Sequence, residues 1–181
     1  RKEEIIDYNL TMKQTIIAGN WKSNFTIGQA KNWLDQWNIQ SKTLNILLFV
    51  PFTLLYFLKT EIDRRSLPIQ LGAQDVSPFS EGAHTGEESA RQVKELADWV
   101  LIGHSERRSQ FQETDEELAY EALQAKTAGL HVLYCVSDNQ MRIPGQADVF
   151  AYEPVTSIGS GKPEDPLLAG QMIKQMKDNH H

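Results

Sequence analysis

Residues 99–136 read WVLIGHSERRSQFQETDEELAYEALQAKTAGLHVLYCV, and they contain two strand patterns on either side of one helix pattern. The first apolar run, Trp99 to Gly103, and the last, Leu130 to Val136, are short and continuous, which is typical of strands buried on both faces of a parallel sheet. Between them, Thr114-x-x-Glu117 is a capping box that predicts a helix start, and Gly129 stands where that helix should end. A strand, a helix and a second strand in this order predict a right-handed crossover between parallel strands.

The same pattern recurs along most of the chain. Four further short apolar runs predict strands: Thr15–Gly19, Ile46–Val50, Ile69–Ala73 and Val149–Tyr152. Apolar residues at helical spacing predict helices whose apolar faces pack in the core: Ile27, Ala30, Leu34 and Trp37; Leu54, Leu55, Leu58 and Ile62; Leu118, Ala122 and Leu123. A last helix is predicted from about Pro163 to Asp178.

Six strand–helix units of this kind predict an α/β fold of the TIM (β/α)8-barrel type. We interpret residues 12–181 as a single, partial barrel domain and residues 1–11 as an extension ahead of Met12. A closed barrel takes about 250 residues, so the barrel is expected to be incomplete. The link from Ser137 to Asp148 barely reaches the length of a parallel crossover, and Pro144-Gly145 within it argues against a helix there.

Composition narrows the classes of partner and compartment. The chain has 181 residues, 40% of them hydrophobic and 23% charged, and a formal net charge of −6. This acidic balance argues against nucleic acid or an anionic membrane as the main partner. No apolar run approaches the roughly 20 residues that span a membrane, and the start lacks the apolar core of a signal peptide, so we expect a cytoplasmic protein. The single cysteine, Cys135, reads as a buried strand thiol.

Polar residues cluster after the strands, at the ends where parallel α/β sheets place their active sites. Asn20-Trp21-Lys22 follows the first strand, Gln74-Asp75 the third, His104 to Arg108 the fourth, and Glu153 the sixth. A carboxylate, an imidazole and a cation at one mouth suit proton abstraction next to a carbonyl, because the base takes the proton while the other two stabilise the enediolate oxygen.

Several motifs, in this order, resemble those of triosephosphate isomerases. They are AGNWKSN at 18–24, GAQDV at 72–76, GAHTGE at 82–87, IGHSERR at 102–108, and AYEPV then IGSG at 151–161. The resemblance covers nearly everything from Thr15 to about Asp178. It implies a triose-phosphate isomerase that interconverts D-glyceraldehyde 3-phosphate and dihydroxyacetone phosphate without a cofactor or metal.

The resemblance also implies roles for the reacting residues. Glu153 would be the base that moves the proton between two carbons. His104 would polarise the carbonyl as a neutral imidazole, since it opens a helical turn near Ser105-Glu106 whose positive end disfavours imidazolium. Lys22 would supply positive charge, and Asn20 a hydrogen bond to substrate oxygen.

Further residues would support the reaction. Ser105 and Glu106 would be supporting groups, with the Glu106 carboxylate deeper in the pocket. Gly159 would offer a backbone N–H to the phosphate, and Ile158 would cover the enediolate when a lid closes. Arg107-Arg108 is interpreted as a salt-bridging pair rather than a substrate clamp.

The sequence departs from the family pattern in two places. Thr156-Ser157 stands where the family usually has Trp-Ala, so a large apolar lid anchor is missing. Nothing after Gly161 supplies the Gly- and Ser-rich loops of strands seven and eight, which implies a short or C-terminally truncated member. Weak or absent turnover is therefore expected of the purified chain, since remote phosphate binding helps to reach the transition state.

Three interpretations of function remain open. The first is an active isomerase, for which the resemblance implies a homodimer through the loop Gly82 to Glu87. The second is a catalytically impaired barrel remnant that acts as a binding or assembly module. The third is another phosphosugar enzyme on a related barrel, which the fold alone would permit.

Overall fold

A computed structural model of the chain describes residues 15–39, 44–154, 157 and 162–179. Two features of the sequence interpretation lie outside the described residues: the extension at 1–11 and most of the proposed lid. Ile158 and Gly159 are among these residues, and so is Thr156.

The described residues form one parallel sheet of six strands. In chain order these are β1 (Thr15–Asn20), β2 (Leu44–Val50), β3 (Ile69–Ala73), β4 (Trp99–Ile102), β5 (His131–Val136) and β6 (Val149–Tyr152). Each strand pairs in parallel with the next one in sequence, so the spatial order is also β1 to β6. This order and the alternating helices confirm the prediction of an incomplete TIM barrel.

Helices connect most of the strands, and a last helix follows β6. They are α1 (Ile27–Asp35), α2 (Phe52–Arg65), α3 (Ala90–Lys94), α4 (Asp115–Thr127) and α5 (Pro166–Asn179), with a π-helical turn at Arg107–Phe111. The capping box at Thr114 is confirmed, since its hydroxyl accepts from the Glu117 N–H. Two further capping boxes, at Thr26 and Ser89, start α1 and α3.

Apolar side chains fill both faces of the sheet, as the continuous apolar runs predict. On the inner face, six side chains of β2, β4 and β5 pack together: Leu47, Phe49, Trp99, Leu101, Leu133 and Cys135. Strands β2 and β4 also lie close together although they are not neighbours in the sheet, which shows that the sheet curls. The larger outer cluster packs the other side of the strands against helices α1 to α5. The core therefore has the two layers of a barrel wall.

The prediction of burial was wrong at five apolar positions, one of which is the exposed Ala18 of β1. Ile16 and Ile17 of β1 are 37% and 50% exposed, because β1 pairs on one side only within the described part of the chain. Ile27 is exposed at the first turn of α1. Leu123 is exposed because the outer side of α4 faces an open cavity that residues of the β5–β6 link also line.

The link from β5 to β6 is a series of turns, as Pro144-Gly145 predicts. Its last residue, Asp148, accepts the Val132 N–H at 2.7 Å and pairs with Lys126 at 2.8 Å. These contacts hold the short crossover against β5 and α4, and they set the position from which β6 runs to the mouth of the sheet. None of the helices in the described ranges is both long and apolar enough to cross a membrane.

Candidate active site

The sequence-predicted polar residues lie together at the carboxyl ends of the strands. Val149 and Ala151 of β6 contact the inner cluster, so Glu153, two residues further on, continues the inward-facing row. The Glu153 N–H donates to the Val136 carbonyl at 2.8 Å, which extends the pairing of β5 and β6 by one residue. The carboxylate is thereby directed to the mouth of the curled sheet.

His104 and Glu153 are in direct contact across this mouth. Nε2 of His104 lies 3.3 Å from Oε1 of Glu153, although 49 residues separate them in sequence. The second carboxylate oxygen accepts the Ser105 N–H at 3.3 Å. The imidazole is buried, whereas the carboxylate keeps partial access to solvent. The pair therefore has one protected member and one member that can reach an incoming molecule.

Hydrogen bonding fixes the tautomer of His104. The Glu106 N–H donates to Nδ1 of His104 at 3.1 Å, so Nδ1 is an acceptor and carries no proton. The ring proton then lies on Nε2, which faces Glu153. Ser105 and Glu106 form the helical turn that the sequence predicts after β4.

Lys22 joins this group through Glu106. Its Nζ lies 2.6 Å from Oε1 of Glu106, and the other oxygen of Glu106 is 3.5 Å from Nδ1 of His104. Both side chains are partly exposed, and Glu106 is more exposed than His104, which contradicts the deeper position expected for it. Lys22 has a φ of +51°, a left-handed conformation that is uncommon for a residue with a side chain.

Gln74 holds the backbone of the Lys22 segment in place. Its amide nitrogen donates to Oδ1 of Asn20 at 3.0 Å, to the Lys22 carbonyl at 3.0 Å and to the Phe49 carbonyl at 3.2 Å. Oδ1 of Asn20 also accepts the Lys22 N–H at 2.8 Å. The sequence placed Gln74 at the mouth but gave it no role, and only the folded structure brings its three acceptors together.

Cys135 lies next to Glu153. Burial raises the pKa of the Cys135 thiol well above its usual range, and the charge of Glu153 and a hydrogen bond with its side chain raise it further. The thiol is therefore neutral next to the carboxylate. This agrees with the interpretation of Cys135 as a buried strand thiol.

The two arginines after Glu106 are salt-bridged, as predicted. Arg107 pairs with Asp75 at 2.6 Å and with Glu113, while Arg108 pairs with Asp115 at 2.7 Å and donates to the Gly103 carbonyl at 2.8 Å. These contacts occupy both guanidinium groups with protein atoms. They anchor the π-helical turn that follows the His104 segment.

A second group of titratable side chains, missed by the sequence interpretation, lies beside Arg107. Asp75, Glu113 and Glu121, which we call the acidic cluster, each have an oxygen within 4.8 Å of the others. Burial raises the pKa of Asp75 to about 7 and that of Glu121 to about 9. No motif spacing marked this cluster, because its members come from a strand end, a loop and the middle of α4.

Comparison with known proteins matches the chain to one family. The family model for triosephosphate isomerase matches residues 15–181. Triosephosphate isomerase of Corynebacterium efficiens is 34% identical, over 91% of this chain and 74% of the relative. That of Hahella chejuensis is 33% identical, over 93% and 77%. That of Leifsonia xyli subsp. xyli is 35% identical, over 90% and 74%. The chain therefore belongs to the triosephosphate isomerase family.

Proposed function

We propose that this chain interconverts D-glyceraldehyde 3-phosphate and dihydroxyacetone phosphate through an enediolate, with the residues at the mouth of the sheet as its acid–base groups. The observation that carries the proposal is the contact between Nε2 of His104 and Oε1 of Glu153 at 3.3 Å. A Brønsted base and a neutral N–H donor at this spacing can act on adjacent atoms of one small molecule.

The proposed reaction moves one proton between two neighbouring carbon atoms of the substrate. Glu153 removes a proton from the carbon next to the carbonyl, and the C–H electron pair becomes the new C–C double bond of the enediolate. The His104 Nε2–H donates to the oxygen on which negative charge develops, and the ammonium of Lys22 stabilises the same charge. The hydroxyl proton on the neighbouring carbon's oxygen passes to the charged oxygen by way of His104 Nε2, and Glu153 returns its proton to the neighbouring carbon, which completes the isomerisation.

Substrate must enter between the two groups that now touch. We propose that the Glu153 carboxylate leaves the Ser105 N–H and the His104 ring when substrate binds, which places it over the reacting carbon. The Ser105 N–H contact, at 3.3 Å, is long for a hydrogen bond, so little is lost on release. Asn20 is proposed to bind a substrate oxygen and Gln74 to position Lys22.

Binding of the phosphate and exclusion of water are assigned to residues that follow Glu153. Gly159 is proposed to donate its N–H to the phosphate, and Ile158 to cover the enediolate. They lie five and six residues after the base in sequence, which keeps them within reach of the same mouth. The proposed reaction has phosphorylated trioses, which are charged small molecules, as its substrate class. We also propose that the enzyme is cytoplasmic.

A homodimer through the loop Gly82 to Glu87 is also proposed. Residues 81–88 are all exposed, and the loop is organised by its own contacts, including a stack of the Phe79 and His84 rings at 4.3 Å. A preformed, protruding loop of this kind can insert into a partner with little loss of conformational entropy.

A coupled enzymatic assay in each direction tests the proposed reaction. We expect Glu153→Asp to lower kcat by at least about a hundredfold, because a shorter side chain misplaces the base. His104→Gln should lower kcat by a similar factor, because an oriented N–H donor is lost. Glu116→Gln and His131→Gln, at exposed positions away from the mouth, are the matched controls.

The outcomes separate the isomerase from the alternative interpretation. Turnover that depends on Glu153 and His104 but not on the controls supports the isomerase. Turnover that survives Glu153→Asp removes this carboxylate from the mechanism. A folded chain without turnover would favour a catalytically impaired binding or assembly module, for which the exposed apolar residues of β1 are the structural argument.

A further inference from the structure

The acidic cluster has the geometry of a cation site. One carboxylate oxygen from each of Asp75, Glu113 and Glu121 lies within 4.8 Å of the other two. Oxygen ligands at 2.3–2.6 Å from a shared Ca²⁺ are at most about 5 Å apart, so one ion can contact all three oxygens. The three side chains reach this point from the end of β3, the loop before α4, and α4 itself.

The second observation is that the cluster contains buried oxygens without partners. Among the described residues, Oδ1 of Asp75, Oε2 of Glu113 and Oε2 of Glu121 are buried and have no hydrogen-bond donor. Glu121 is only 3% exposed, and it points into the cluster. A buried carboxylate that is neither paired nor hydrogen-bonded is costly, and a folded protein compensates it with a partner.

The net charge of the acidic cluster indicates which kind of partner its unpaired oxygens lack. Arg107 pairs with one oxygen of Asp75 and one of Glu113, and this contributes a single positive charge. With all three carboxylates ionised, as a bound cation requires, the carboxylates and the guanidinium carry a net charge of −2, whereas in the metal-free chain a proton on Glu121 supplies part of the missing positive charge. Glu87 and Glu117 lie close enough to add to the negative potential. A divalent cation therefore balances the group.

The surroundings leave space for such an ion. The cluster lines a cavity of about 380 Å³ that opens to solvent, together with residues of the segment after β3 and the π-helical turn. Water can therefore complete the coordination shell, and an ion can enter. Ligands that are all oxygen favour Ca²⁺, Mn²⁺ or Mg²⁺ over metals that prefer nitrogen or sulfur, and Mg²⁺ is the least suited to three protein carboxylates because it dehydrates reluctantly and keeps most of its waters.

We propose that Asp75, Glu113 and Glu121 bind one hard divalent cation, Ca²⁺ or Mn²⁺, at a site separate from the acid–base residues. The ion ties β3, α4 and, through Arg107, the π-helical turn to one another. Its role is structural, since none of its ligands contacts His104, Glu153 or Lys22 in the described contacts. Binding should raise thermal stability, because the ligand selects the folded state.

Calorimetric titration of the metal-free chain with Ca²⁺, and separately with Mn²⁺, tests the proposal at a mildly alkaline pH. We expect one ion per chain and a rise in Tm that saturates with ion concentration. Mn²⁺ bound by protein oxygens should also give a changed electron paramagnetic resonance spectrum. Glu121→Gln keeps the side-chain shape, removes one charged ligand, and should weaken binding by at least about tenfold.

Glu116→Gln is the matched control, because it makes the same change at an exposed position of α4 outside the cluster. Binding that is lost in Glu121→Gln and kept in Glu116→Gln supports the site. If the wild-type chain shows neither heat of binding nor a Tm shift with Ca²⁺ and with Mn²⁺, the proposed site is overturned, whether or not the variants fold. Ion binding that survives Glu121→Gln unchanged also overturns it, because the ion then binds elsewhere.

Discussion

At the scale of single residues, Gly72 shows how closely the inner face is packed. A Cβ on this residue would lie 3.3 Å from Cγ of Phe49 and closer still to two other carbons of the ring. Phe49 is almost fully buried among the inner side chains, so its ring has little space to move. Gly72 lies on β3, between β2 and β4, and this position must therefore hold a small residue for the sheet to curl as it does.

Gly72→Ala is expected to destabilise the chain by about 1–3 kcal/mol, the usual cost of overpacking a core. Urea unfolding followed by tryptophan fluorescence measures the free energy of unfolding. Gly170→Ala is the control, since a Cβ on Gly170 meets no atom within 4 Å. Gly170 lies inside α5, so its replacement should stabilise by about 0.5–1 kcal/mol. A wild-type free energy of unfolding in Gly72→Ala would refute this view of the inner face.

Position after a strand was enough to predict from the sequence that Asn20, Lys22, His104 and Glu153 lie together, because parallel strands bring their carboxyl ends to one edge. Contacts made by the backbone were not predictable. The Glu106 N–H that fixes the tautomer of His104 depends on the turn formed after β4, and every residue except proline carries the same donor. The role of Gln74 likewise depends on carbonyls of two other segments.

At the scale of elements, α4 carries a charge that depends on pH. Burial, with the neighbouring carboxylates Asp75 and Glu113, raises the pKa of Glu121 to about 9, and Glu117 on the same helix acts in the same direction. Arg107 opposes this shift. The metal-free folded chain therefore holds a proton on Glu121 at neutral pH, whereas the unfolded chain releases it above its ordinary value of about 4.3.

This difference sets the sign of the pH dependence. Between about pH 5 and pH 9 the folded state binds more protons, so stability is present at the low end and is lost as pH rises. With a chelator present, we expect the free energy of unfolding to fall by on the order of 1 kcal/mol per pH unit above pH 6. Glu121→Gln, which resembles the protonated side chain, should show a smaller slope, and Glu116→Gln the wild-type slope. If the free energy of unfolding falls with pH equally steeply in all three proteins, Glu121 is not the source of the pH dependence.

Helix boundaries differ in how far local sequence determines them. The start of α4 was predictable because the capping box satisfies its donors within four residues. The five residues of α3 are too few to show a helical period. The π-helical turn at Arg107–Phe111 depends on salt bridges to residues as distant as Asp75. Structure fixed by such long-range contacts leaves no local pattern in the sequence.

At the scale of the whole molecule, β1 and β6 form the two edges of the described sheet. An edge strand with exposed apolar side chains is a template for pairing with another chain. Ile17, at 50% exposure, is more exposed than Ile16 on the same strand.

We therefore expect the 181-residue polypeptide to form species larger than a dimer as its concentration rises, and Ile17→Lys to reduce them. Light scattering measures this. Ile27→Lys is the control, because Ile27 is exposed to a similar degree on α1 and lies away from the sheet edge. An equal effect of both variants would attribute the association to general hydrophobicity rather than to the edge.

The proposed dimer should be independent of that edge, because the loop from Gly82 to Glu87 follows β3, well inside the sheet order. Ile17→Lys is therefore the background in which the dimer can be measured without larger species. Adding Thr85→Arg places a long charged side chain on the exposed loop and should raise the dimer dissociation constant by at least about tenfold. Sedimentation velocity over a concentration series measures this constant. Thr60→Arg, on the exposed side of α2, is the control and should leave it unchanged. If the Ile17→Lys chain sediments as a monomer throughout, or if Thr85→Arg leaves a dimer intact, this loop is not the contact between subunits.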